Sequence, residues 1–114
     1  MYFFVGEALK DLPNEQFDVV ILSNILEHLP DRKTFLKCLL LQIRPRRILI
    51  RVPMFDRHWS VPLRKELGVN WMGDSSHYTL YTKESFIEEI EAAELNIVEM
   101  EICWGEIWAE VRPR

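Results

Sequence analysis

Apolar positions along the chain fall into segments of two periods. Phe17 to Leu22 (FDVVIL) and Arg47 to Val52 (RILIRV) are short, nearly continuous apolar runs. Such runs suit strands covered on both faces, as in a parallel sheet. Between them Phe35, Leu36, Leu39, Leu40 and Ile43 recur at helical spacing, behind Asp31 as a cap and ahead of Pro45 as a terminator. Strand, helix and strand in this order predict a βαβ unit with a right-handed crossover.

The rest of the chain extends this frame. Residues 54 to 81 show no sustained period: Trp59, Trp71, Tyr78 and Tyr81 are scattered among Gly68, Gly73 and Asp74-Ser75-Ser76. A short helix fits inside, with Ser60 as cap, Pro62 in its first turn and Gly68 just past its end. A connection of this length reads as an insert or lid. Thr82 then caps an amphipathic helix carrying Phe86, Ile87, Ile90 and Ala93 on one face. Ile97 to Trp104 alternates, with Val98, Met100, Ile102 and Trp104 on one side and Glu99 and Glu101 on the other. Gly105-Glu106 turns into a last strand, Ile107 to Val111, which predicts an antiparallel hairpin. Tyr2 to Val5, stopped by Gly6, reads as a further short strand.

Composition narrows the class. A chain of 114 residues accommodates one domain with a core, and 48% hydrophobic with 28% charged residues is a globular profile. The net charge of -4, with acids and bases interspersed, argues against a nucleic-acid partner, since such binders carry a basic face. The basic cluster Arg44, Arg46 and Arg47 lies between a helix and a strand and reads as a solvated loop, with a phosphate grip the alternative. Cys38 and Cys103 form neither a disulfide framework nor a paired metal motif, so free buried thiols in a reducing, cytoplasmic setting are expected. No apolar run is long enough to span a bilayer, so no membrane association is expected.

Four segments carry a family resemblance. "FDVVILSNILEHLPDR" (Phe17 to Arg32) resembles the fourth strand and following helix entry of class I, Rossmann-like S-adenosylmethionine-dependent methyltransferases. "IRPRRILIRVP" (Ile43 to Pro53) is similar to their fifth strand, and "HYTLYTKESFIEEIEAAELNIVEME" (His77 to Glu101) to their last helix and sixth strand. "YFFVGEALKDLP" (Tyr2 to Pro13) resembles the end of their third strand and the loop beyond. The resemblance spans nearly the whole chain and implies an α/β fold: a partial Rossmann-like methyltransferase sheet, parallel strands plus a C-terminal antiparallel hairpin, with helices mainly on one face. It also exposes a departure. The family's Gly-rich loop and the acidic residue that binds the ribose hydroxyls are absent, and none of Gly6, Gly68, Gly73 and Gly105 forms a G-x-G. Residues 1–114 are therefore expected to be one truncated domain, with 54–81 as an insert within it and most of the cofactor-binding half missing.

The resemblance implies a site beyond the carboxyl ends of the strands. Glu7 and Ala8 would meet the adenine of S-adenosylmethionine, and Ser23 and Asn24 would meet its amino-acid end where the methyl group passes to the acceptor. His28, after Glu27, is the candidate general base. His58, Trp59, Trp71, His77 and Tyr78 would roof the acceptor pocket. Read from the residues alone, Glu7 also suits a solvated carboxylate, His28 a structural histidine, and the aromatics plain core. The three histidines fit no metal-ligand spacing, so no metal is expected. Methyl transfer is a displacement governed by alignment, and a base matters only when the acceptor loses a proton. The Asn-Pro-Pro-Tyr loop of nucleic-acid amino-methyltransferases is replaced here by Ser23-Asn24-Ile25-Leu26, which favours a small-molecule methyl acceptor.

Both main helices are expected on one sheet face, leaving an apolar face bare. That predicts a homodimer through this face, or an insert folded over it. The competing function is a non-catalytic interaction module that keeps the fold and binds a partner through the exposed sheet. A response-regulator-like or nucleotide-binding α/β domain would need paired acids at strand ends or a phosphate loop, and neither is present.

Overall fold

The computed structural model of the protein describes residues 11–55, 63, 66–68 and 80–114. The expected strand Tyr2 to Val5, the cap Ser60 and the first-turn Pro62 lie outside the described residues.

The first strand, β1, is Val19–Ser23; a single 3-10 turn, Leu26–His28, leads to helix α1, Arg32–Gln42. Strand β2 is Arg47–Pro53, helix α2 is Lys83–Ala92, and strands β3 and β4 are Leu95–Cys103 and Glu106–Pro113. The four strands form one sheet in the order β1-β2-β4-β3. β1 and β2 run parallel, whereas β4 lies antiparallel between β2 and β3. No described helix is long and apolar enough to cross a membrane.

Local chemistry explains the helix limits. The Asp31 carboxylate accepts from Thr34 N at 3.1 Å and from Thr34 Oγ1 at 2.6 Å, satisfying an orphan donor of the first turn. Thr82 and Ser85 make a reciprocal capping box at the start of α2, with backbone-to-hydroxyl distances of 3.0 and 2.9 Å. At the other end of α1 the chain reverses through Arg44 at φ 51°, followed by the buried Pro45. Leu67 N bonds to Leu63 O at 3.0 Å and Gly68 follows at φ 75°, so the expected helical turn with a glycine past its end is present there.

Both helices cover the same sheet face. Phe35, Leu36 and Leu39 of α1 and Phe86 and Ile90 of α2 pack with Leu22, Ile48, Ile50, Val52, Leu95, Ile107, Ala109 and Val111 in one core. Each large apolar side chain fully buried in this way contributes about 1.5–3 kcal/mol.

The opposite face is bare, as both helices on one side predict: Ile21, in the run VVIL, is 66% exposed. It is not the apolar face expected, however. Strand pairing sets Ile21, Leu49, Glu110 and Glu99 in one row across it, and Ser23, Arg51, Trp108 and Glu101 in the next. Arg47 and Arg112 both reach Glu110, at 3.7 and 3.0 Å, and Arg51 lies 3.6 Å from Glu106 and 5.1 Å over the Trp108 ring. Charged stems and their pairs take the place of a covering layer.

The edge strand β3 also departs from simple alternation. Its register against β4 shifts between Ile97 and Glu99, which leaves Val98 as a bulged extra residue. Met100 and Ile102 pair with the core positions Ala109 and Ile107, whereas Val98 has no β4 partner in the register and is 49% exposed. The strand ends at Cys103, and the exposed Trp104 enters the turn at φ 59° with Gly105 at φ 72°. Cys38 and Cys103 are free but half-buried, not fully enclosed.

Candidate active site at the carboxyl ends of the parallel strands

β1 and β2 both end at the same edge of the sheet, where β1 leaves at Ser23 and β2 at Pro53. Asn24 follows at φ 55°, a left-handed conformation that asparagine tolerates better than most residues. Its N–H donates to Arg51 O at 2.9 Å, extending the parallel ladder by one bond before the chain turns away. Leu26, fully buried, pins the turn, which is closed by His28 N to Ile25 O at 3.0 Å and Leu29 N to Leu26 O at 3.1 Å. Ser23 and Asn24 are left exposed at the strand exit.

Glu27 and His28 lie just beyond. Glu27 is 1% exposed, the one charged residue in the buried set among the described residues, and its Oε1 is 3.6 Å from His28 Nε2. The imidazole itself is about one-third open, at 35% exposure. A buried carboxylate beside a half-open histidine restricts the ring's orientation while leaving solvent access.

The end of β2 is gripped from two sides. Met54 N donates to Gly105 O of the hairpin turn at 3.0 Å. On the other side Tyr81 bridges to Met54 in parallel sense, with Phe55 N to Tyr81 O at 2.6 Å and Tyr81 N to Pro53 O at 3.3 Å. Tyr81 in turn donates its hydroxyl to Glu89 Oε2, and Arg32 Nε donates to Glu89 Oε1. Arg32 also donates from Nη1 to Leu29 O at 3.1 Å and lies 5.9 Å over the Tyr81 ring. One carboxylate thus ties α1, α2 and the segment entering α2 together.

Burial, then the hydrogen bond to Glu89 and its negative charge, pushes the Tyr81 phenol far above its ordinary pKa. It is a neutral donor and not a base. Burial alone would lower the Arg32 pKa, but the Glu89 hydrogen bond and the neighbouring acids outweigh it and the net direction is upward. This trio is a fixed structural clamp.

Of the residues expected at the site, Ser23, Asn24 and His28 come together around the exit of β1. Glu7, Ala8, His58, Trp59, Trp71, His77 and Tyr78 lie outside the described residues. Sequence reasoning missed the clamp. Arg32 and Glu89 sit 57 positions apart on two helices, and nothing in either local pattern marks them as partners. Among the described residues no group of three or more His, Cys, Asp or Glu side chains could hold a metal ion.

Comparison with known structures gives this arrangement a fold class. The chain superposes on the small RNA methyltransferase HEN1 with a TM-score of 0.71 and 15% identity, over 96% of this chain and 16% of that one. It matches the mitomycin 7-O-methyltransferase MmcR with a TM-score of 0.68 and 16% identity, over 96% of this chain and 33% of that one. An S-adenosylmethionine-dependent methyltransferase from Clostridium acetobutylicum gives a TM-score of 0.66 and 12% identity, over 95% and 63%. No protein-family model and no curated protein sequence matches the chain. The chain thus carries the Rossmann-like α/β fold of methyltransferases and spans less than two thirds of the length of each of these three.

Proposed function

We propose that this chain is the acceptor-side portion of an S-adenosylmethionine-dependent methyltransferase acting on a small molecule, with most of the cofactor held by residues outside it. The carrying observation is the sheet order β1-β2-β4-β3, with β4 antiparallel between β2 and β3, in a fold that follows methyltransferases over nearly its whole length. The missing Gly-rich loop and the partial span of the compared structures support the division into portions.

The strand exit suits the cofactor's amino-acid end. Ser23 and Asn24 are exposed, and the left-handed turn at Asn24 keeps the backbone there open, not folded into the core. In this reading their backbone groups take the cofactor's amine, while Glu7 and Ala8 meet its adenine. The bound cofactor supplies an electrophilic methyl group on a sulfonium. The protein's own work is alignment, with His28 accepting a proton from an acceptor hydroxyl or amine and Glu27 restricting the imidazole. In the same reading the roof over the acceptor is assigned to His58, Trp59, Trp71, His77 and Tyr78.

Titration calorimetry with S-adenosylhomocysteine tests the proposal, on the 114-residue chain and on the longest product of its gene. Saturable one-to-one binding by the longer product and none by the 114-residue chain is expected. Failure of the longer product to bind would overturn the methyltransferase reading. Tight binding by the chain alone would overturn the division.

A second reading, a non-catalytic interaction module, is favoured by one observation. Ile21 and Trp108 stand exposed on the sheet face that neither helix covers.

A further inference from the structure

The turn that carries Glu27 and His28 is pinned at both ends. Leu26, fully buried, anchors its start, and Leu29 closes it by donating its N–H to Leu26 O at 3.1 Å. The Leu29 carbonyl then accepts from Arg32 Nη1 at 3.1 Å, while Nε of the same guanidinium donates to Glu89 Oε1. We infer that Arg32 is a positioning residue for His28: its guanidinium, held on α2 by Glu89, fixes the turn from which the imidazole projects. The inference rests on the reading of His28 as the group that accepts the acceptor's proton.

The demand for such a residue comes from the chemistry. A base must stand within about 2.6–3.2 Å of the atom whose proton it takes, so a small shift of the turn matters. Glu27 Oε1 lies 3.6 Å from His28 Nε2, beyond hydrogen-bond length, and steers the ring by charge. Where the ring stands is set by the backbone beneath it. Leu29, whose N–H and carbonyl are both engaged, is the residue next to His28 in that backbone.

Arginine suits the task for a geometric reason. Its planar fork offers Nε and Nη1 as separate donors in a fixed relation, so carboxylate and carbonyl are met together, whereas lysine donates from one nitrogen. Arg32 is also the first residue of α1, so it starts the helix and faces back to the turn before it. The path continues on the other side. Glu89 accepts from the Tyr81 hydroxyl, and the Tyr81 backbone pairs with Pro53 O and Phe55 N at the end of β2. His28 is thus referenced to both parallel strands: to β1 through the chain itself, and to β2 through Tyr81, Glu89 and Arg32.

The test follows two local readouts on the 114-residue chain: amide exchange by nuclear magnetic resonance, and carbethoxylation of His28 by diethyl pyrocarbonate, read by mass spectrometry. Arg32→Gln should speed exchange at Leu29 by about tenfold or more relative to the amides of β2, as loss of a charge-assisted bond implies. Labelling of His28 should rise with it. Arg32→Lys keeps a charge opposite Glu89, so it should recover most of the thermal stability lost in Arg32→Gln while Leu29 still exchanges fast. Val111→Ala, a truncation of a fully buried β4 side chain outside the clamp, should lower stability without speeding Leu29 relative to β2. Where Arg32→Gln does not fold, Glu89→Gln carries the same expectation for Leu29 and His28. Unchanged exchange and labelling, or an equal rise in Val111→Ala, would overturn the assignment. Full recovery of both readouts by Arg32→Lys would do the same, since charge alone would then suffice. Neither readout involves S-adenosylhomocysteine, so failure here and failure of the methyltransferase reading are distinguishable.

Discussion

The hydroxyl of Tyr81, on the strand-like segment entering α2, donates to the carboxylate of Glu89, two turns further along that helix. Since Glu89 also holds Arg32 of α1, this bond fastens the return of the long connection to the frame that presents the candidate site.

Tyr81→Phe should therefore destabilise the fold while leaving its packing intact. A hydrogen bond to a charged partner contributes about 1.5–3 kcal/mol, and retention of the Arg32 pair places the expected loss near the lower bound. Urea denaturation reads it as a lower midpoint at unchanged slope. The same variant carries an alkaline signature. Because the folded-state pKa of Tyr81 is raised above its ordinary 10.0, its contribution is present below pH 10 and lost as pH climbs beyond it. Tyr81→Phe should lose less stability above pH 10 than the unsubstituted protein, and equal slopes there would refute the assignment.

Asp31 gives the opposite dependence. Hydrogen bonds from the Thr34 side chain and backbone hold its carboxyl below the ordinary 3.8. A depressed folded-state pKa supplies stability above the unfolded value, and that stability is lost as pH falls through the folded one. An asparagine in its place would keep the cap geometry without the titration, so Asp31→Asn should have a lower Tm than the unsubstituted chain at neutral pH. The two melting curves should converge below pH 3.8. A gap independent of pH would show that the carboxylate charge is not involved.

Phe86→Ala tests the packing between α2 and the sheet. Phe86 has no exposed surface and meets the Tyr81 ring edge-to-face at 5.7 Å and 85°. Truncation should cost about 3–5 kcal/mol, a large part of the stability of a domain this size. A loss under about 1 kcal/mol in chemical denaturation would mean that the site collapses around the cavity.

His28→Gln tests the proposed role of His28 in methyl transfer. In the longest gene product, methyl transfer to an acceptor that loses a proton should slow by about 10²-fold, with S-adenosylhomocysteine affinity unchanged. An unaltered kcat would assign His28 a structural part.

Much of the fold was legible because local signals agreed with the global arrangement. Asp31, Thr82, Pro45 and Gly68 mark boundaries through chemistry that acts within a few residues, and each is where the structure uses it. The Val98 bulge was not legible, because one extra residue in a strand leaves the alternation on either side looking regular. The charged character of the open face is not legible for a related reason. Arg47 and Arg51 belong to an apolar-looking run, but their partners Glu106, Glu110 and Trp108 come from β4, far along the chain, and only register brings them together. At the candidate site, the grouping of Ser23, Asn24 and His28 follows from proximity in sequence. The clamp of Arg32, Glu89 and Tyr81 depends on how two helices lie on the sheet, which no local pattern encodes.

The pairing of Phe55 with Tyr81 has a bearing on how this scaffold can diversify. It brings the two ends of the intervening stretch to adjacent points on a rigid frame, so the entropy of closing that loop changes only slowly with its length, by about 0.6 kcal/mol for each doubling. Closure entropy alone therefore sets little limit on the length of chain that joins these two points. The register of the sheet and the placement of the helix after Tyr81 are fixed by the frame's own bonds, so sequence length between Phe55 and Tyr81 is a variable that evolution can move at small entropic cost.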